Sequence, residues 1–252
     1  MGLFARLTSR RQPCWTESWA VYPGEVDGQL AMYFVDLGAA AAAPIPELPV
    51  RLDIEVRYAA REDGMPADGH LPGVQRLEDV VSAEARREGG VFVGRVLSAG
   101  TCRYTAYLPA TPTRPIGLPR DDFAPVVFIA DDPSWRYVRD ALAPDPWQQH
   151  VIGDLMVVKA LIGQGDGLEA RRPVEHVAHF AAPGSAEAAA AELRVDGFAV
   201  TVGTSARGVA VLEAVRRDRV CPPELHEVTW AVREVVDRYG GEYDGWGCPT
   251  TP

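Results

Sequence analysis

Three consecutive stretches decide the fold: VEHVAHF (174–180), SAEAAAAELRV (185–195) and FAVTV (198–202). The first reads as a strand, and the third alternates apolar with other residues at a period of two, the pattern of a strand with one buried face. The second is rich in alanine and opens on Ser185, a residue type suited to capping a helix. Working outward, Ser205-Ala206-Arg207-Gly208 turns the chain into another strand, residues 209–215. A helix starts at Pro222-Pro223, with Pro223 suited to the first helical position. Leu225, Val228, Val232, Val235, Val236 and Tyr239 form its apolar stripe. Gly240-Gly241 stops it, and residues 242–248 make a last strand. The order β-α-β-β-α-β is a split βαβ, the ferredoxin-like arrangement. It places four antiparallel strands in one sheet and both helices on one face; the other face stays open or meets a second domain.

Gly163-Gln164-Gly165-Asp166-Gly167, followed by Arg171-Arg172-Pro173, interrupts the pattern. Its glycine spacing mimics a phosphate loop but lacks the Walker lysine, so it reads as a flexible linker. It sets the expected boundary between a domain at 1–165 and one at 172–252. In the front domain, residues 50–58 alternate strictly between apolar and charged. A helix with Val74, Leu77, Val81 and Ala85 on one side follows and ends at Gly89-Gly90. Residues 91–97 and 102–108 read as a hairpin across Ser98-Ala99-Gly100. Ahead of them, residues 15–22 and 30–35 suggest an opening hairpin around Gly24 to Gly28. Residues 39–43 read as a surface loop. After the Pro-rich passage 109–125 and the apolar run 126–129, Ser134 is expected to cap a helix over 135–142. Residues 147–152 read as a strand. Residues 50–152 then repeat the β-α-β-β-α-β order. The fold class expected is α+β, two domains with antiparallel sheets and helices on one face.

The chain has 252 residues, 47% of them hydrophobic and 24% charged, which is the composition of a folded protein with room for two cores. Its 25 basic and 35 acidic residues give a net charge of −10. That balance argues against a general nucleic-acid binder, which needs a dense cationic surface, and suits a basic protein partner. Cys14, Cys102, Cys221 and Cys248 are far apart and read as isolated thiols. The longest apolar run, residues 155–162, is too short for a bilayer. A reducing, cytoplasmic location is expected, with no membrane association.

Most of the reactive side chains have ordinary explanations. His176 and His179 are three apart, which on a strand sends them to opposite faces and disfavours a shared metal. His150 and Asp154 form a possible acid–base pair, without a nucleophile to accompany them. Asp121-Asp122 and Asp131-Asp132 lack calcium-loop spacing. Arg216-Arg217-Asp218-Arg219 reads as a solvated turn. The expectation is a protein that is not an enzyme, with no catalytic residues, no cofactor and no metal.

The last strand carries Glu242-Tyr243-Asp244-Gly245-Trp246-Gly247. This resembles the C-terminal signature of the regulator of ribonuclease E activity B family, as do Val174-Glu175-His176 and Gly197-Phe198. The front part is similar to an uncharacterised domain often fused ahead of such modules in bacteria. The matching features there are Trp19, Val35-Asp36-Leu37, Leu77-Glu78-Asp79 and Gly153-Asp154. The resemblance implies a ferredoxin-like inhibitor that binds an endoribonuclease and performs no chemistry itself. Glu242, Tyr243, Asp244 and Trp246 are then the expected partner-binding residues, with His176 beside them. Two other readings are a neutralising partner of some other basic protein or toxin, and a small-molecule-binding or hydrolytic front domain around His150 and Asp154.

Overall fold

A computed structural model describes residues 15–118, 124–206 and 208–251. Cys14, the Asp121-Asp122 doublet and Arg207 of the expected turn lie outside them. The protein is α+β, with a six-stranded and a four-stranded antiparallel sheet. It divides into two compact units between Gln148 and Gln149. No helix among the described residues is long and apolar enough to cross a membrane.

The first unit opens with the hairpin β1 (Trp19–Val26) and β2 (Gln29–Asp36). Asp27 and Gly28 between them both have positive φ, the tight turn whose twist matches paired strands. Residues 37–42 form a short helix, α1 (Leu37–Ala42), where an alanine-rich surface loop was expected. The Asp36 side chain accepts the Gly38 amide at its start, so a cap and helix-favouring alanines outweigh the low complexity. Then come β3 (Val50–Arg57), α2 (Leu71–Arg87), β4 (Val91–Ser98), β5 (Thr101–Leu108) and β6 (Val126–Asp131). Val50, Leu52, Ile54 and Val56 of β3 pack with Val74, Leu77, Val81 and Ala85 of α2 in one core. Each of the buried valine, leucine and isoleucine side chains contributes about 1.5–3 kcal/mol.

The six strands run in the order β1-β2-β4-β5-β3-β6. Within it, β6-β3-β5-β4 is the ferredoxin-like strand order, with the opening hairpin added beside β4. The repeat expected over residues 50–152 is thus present in the strands, but its last strand is β6 and not 147–152. Residues 146–163 instead form α3 (Pro146–Gly163). Residues 138–142 form a turn of π-helix, and its approach is capped by Asp132, not Ser134. The Asp132 carboxylate accepts the amides of Arg136 and Tyr137 and the hydroxyl of Tyr107. Trp135 is fully buried and stacks on Tyr107 with ring centroids 4.0 Å apart.

The second unit contains α3 from Gln149 onward, then β7 (Arg172–Phe180), α4 (Pro183–Val195), β8 (Ala199–Thr204), β9 (Ala210–Asp218), α5 (Glu224–Arg238) and β10 (Glu242–Gly247). Its sheet order, β10-β7-β9-β8, is ferredoxin-like. Helix α4 begins at Pro183 after Ala182, so Ser185 lies inside the first turn and is not the cap; Pro223 stands at the cap of α5. Ala178, Phe180, Leu212 and Ala214 meet Ala186, Ala189, Leu193, Val232 and Val236 in the core.

The glycine-rich stretch 163–167 is anchored and does not act as a flexible linker. Asp166 is buried, and its carboxylate receives the Arg172 guanidinium, the Leu168 amide at 2.7 Å and the Thr251 amide at 2.7 Å. Arg172 also donates to the Pro249 carbonyl. These bonds tie the residues before β7 to those after β10. The Arg172 guanidinium holds the Asp166 carboxyl far below the usual carboxylate range.

Candidate partner-binding face

Strand β10 pairs with β7, and its register shifts between Tyr243 and Gly245, leaving Asp244 as the extra residue of a bulge. The consequence is geometric. Residues three apart on a regular strand face opposite ways, but the extra residue brings Tyr243, opposite Ala178, and Trp246, opposite His176, to the same face. Gly245 permits the bulge with φ of 115°.

That shared face is the one under the helices. The Tyr243 hydroxyl lies 2.9 Å from His176 Nδ1. Trp246 Nε1 donates to Asp154 Oδ1 of α3 at 2.8 Å. Asp154 is buried, and its other oxygen accepts Thr229 Oγ1 at 2.7 Å and His226 Nδ1 at 2.9 Å, both from α5. With the Thr229 proton given to Asp154, His150 Nε2 at 2.8 Å is the donor to the Thr229 oxygen. One carboxylate therefore joins α3, α5 and β10.

Electrostatics fit a structural network. Burial pushes the His176 imidazole from 6.5 down to about 4, with Arg216 acting in the same direction against Asp218. Burial also lowers His150, despite Asp154 beside it, and drives the Tyr243 hydroxyl well above its ordinary range. Among the described residues His176 Nε2 has no hydrogen-bond partner.

The expected site residues thus divide into two layers. His176 is 0% exposed, out of reach of a partner's surface, and Tyr243 and Trp246 are half-buried with their polar atoms turned inward. Glu242 and Asp244 are exposed. His179 lies on the other sheet face from His176, as the strand period requires, with its Nε2 3.4 Å from Asp244 Oδ2. By register the same open face carries Glu175, Val177, Val211, Glu213 and Val215. Glu175 and Glu213 are exposed and the three valines half-buried. An apolar middle with four carboxylates around it can bind a complementary cationic protein surface.

His150 and Asp154 belong to the second unit, so they centre no site in the front domain. Their side chains are only 5% and 4% exposed, which leaves no room for a substrate between them. Sequence reading missed His226 and Thr229. Their signal was available: both fall on the buried stripe of α5 with Leu225, Val232 and Val236, just as Asp154 falls between Val151 and Val158 on α3. Polar residues at core positions of two helices are a sign that they pair.

Residues 154–248 match the family described as regulator of ribonuclease activity B. Residues 17–142 match a family of unknown function, DUF695. No curated protein matches the chain. The first of these matches begins at Asp154 and takes in Trp246, so both ends of the α3–β10 hydrogen bond lie within it.

Proposed function

Because the chain belongs to the DUF695 family of unknown function and carries a regulator of ribonuclease activity B module behind it, we propose that it is a non-enzymatic regulator that binds an endoribonuclease through that module. The observation that carries this reading is the family match over residues 154–248, which includes the EYDGWG strand. The open sheet face supports it: Glu175, Glu213, Glu242 and Asp244 offer negative charge where a nuclease presents the basic surface it uses for RNA. Glu242 and Asp244 meet the partner. Tyr243, Trp246 and His176 act from beneath, holding the bulge that projects Asp244.

The test is an RNA-cleavage assay with purified ribonuclease E and the full chain, beside direct binding by surface plasmon resonance. Dose-dependent inhibition is expected from the unaltered chain. The double substitution Glu242→Arg, Asp244→Arg should weaken binding by about tenfold or more with an unchanged circular dichroism spectrum. Absence of binding and inhibition by the unaltered chain overturns the nuclease reading. Binding that the double substitution leaves intact moves the interface off β10.

A further inference from the structure

Strand β6 is the last strand of the six-stranded sheet, paired with β3 on one side and with no described strand on the other. Every residue of it is exposed. Val126 is 51% accessible, Val127 40%, Phe128 50% and Ile129 42%. Because neighbouring residues point to opposite faces, both faces of this strand are apolar at the edge. An open edge also presents a row of unpaired backbone donors and acceptors, and folded proteins ordinarily block such edges with proline, bulges or charge. Two of the other three sheet edges follow that rule: strand β1 contains Pro23 and Glu25, and β10 carries the bulge at Asp244. The third, β8, has none of these blocks, but it exposes Thr201, Gly203 and Thr204 in place of large apolar side chains. Strand β6 has no proline, no register shift and no charge before Asp131.

We propose that β6 pairs antiparallel with β6 of a second copy of this chain, about a two-fold axis at Phe128. An occupant of this edge has to supply backbone groups and apolar side chains on both faces of one strand. Strand β6 itself has that composition, and a two-fold interface requires a self-complementary patch. The register follows from the faces. A two-fold axis perpendicular to the sheet sets residues of the same face opposite each other, so Phe128 meets Phe128, Val127 meets Ile129 and Val126 meets Ala130. Asp131 then lies opposite Pro125, and no like charges meet. The two sheets become one continuous sheet across the axis.

The oligomeric state of the full chain tests this, read by light scattering after size exclusion and by sedimentation over a wide concentration range. The expected mass is twice that of the chain. F128E and F128K each set two like charges across the axis and should weaken self-association about a hundredfold. Mixing the two should restore a dimer containing one of each. F128E also stands beside Asp53 of β3, so hydrogen exchange on the unaltered chain provides an independent readout: amides of residues 126–131 should gain protection as protein concentration rises. A monomer at every concentration overturns the proposal, as does a dimer indifferent to both substitutions. So does failure of the folded variants to recombine. Should F128E not fold, exchange at β6 that is independent of concentration overturns it.

Discussion

Asp154 accepts three hydrogen bonds within 2.9 Å, from the half-buried Trp246 and from Thr229 and His226, which are buried with it. A buried donor left without an acceptor costs about 1–3 kcal/mol. Asp154→Ala should therefore lower the free energy of unfolding by about 3–5 kcal/mol, allowing for partial relaxation. Trp246→Phe keeps most of the ring and removes one donor, for about 1–2 kcal/mol. Denaturant unfolding at neutral pH measures both, and a loss under 0.5 kcal/mol, roughly the scatter of surface substitutions, for Asp154→Ala would remove the network from the list of what holds this unit. His176 adds a pH dependence. Its folded pKa is depressed to about 4 from 6.5, chiefly by burial, so between those values the unfolded chain binds the extra proton. Stability is then complete above about pH 6.5 and declines as pH falls toward 4, by roughly 3 kcal/mol at most. His150, also depressed by burial, acts with the same sign. His176→Gln should flatten the slope between about pH 7 and pH 5; an unaltered slope would assign the effect to other groups.

At the scale of elements, legibility followed periodicity. The alternation of residues 50–58 and the stripe of α5 announced those elements because one face of each is buried. Failures came where the face is shared. Residues 147–152 lie in α3, which is apolar nearly all round, so neither a helical nor a strand period stands out over so short a window. The Asp132 cap was hidden because Ser134 is the commoner-looking candidate two residues on, and only the fold shows that Asp132 also takes the Tyr107 hydroxyl. The candidate site was half legible. The EYDGWG strand was found as a motif, but its orientation depends on the Asp244 bulge, and a one-residue shift reverses which side chains face the core. A period of two without the bulge sends Tyr243 and Trp246 to opposite faces. With it, both turn inward, and exposure passes to Glu242 and Asp244.

For the whole molecule, the question is where the second unit begins. The glycines at 163–167 suggested residue 172, since such runs commonly mark linkers. The compact units instead divide at Gln148 and Gln149, inside α3. Two sets of contacts account for this. Val158 and Leu161 of α3 share a core with Val174, Val220 and Leu225, and Asp154 is the acceptor on which Trp246, His226 and Thr229 converge. Losing two such apolar side chains forfeits about 3–6 kcal/mol, and orphaning the three donors costs a similar amount. A small domain has about 5–15 kcal/mol in total. A chain of residues 149–252 should therefore unfold cooperatively on heating. A chain of residues 172–252 should lack a cooperative transition and bind a hydrophobic dye, with α5 and β10 deprived of the helix they pack on and Arg172 deprived of Asp166. Equal melting temperatures for the two would show that α3 is an appendage and that the ferredoxin-like sheet with α4 and α5 is sufficient alone.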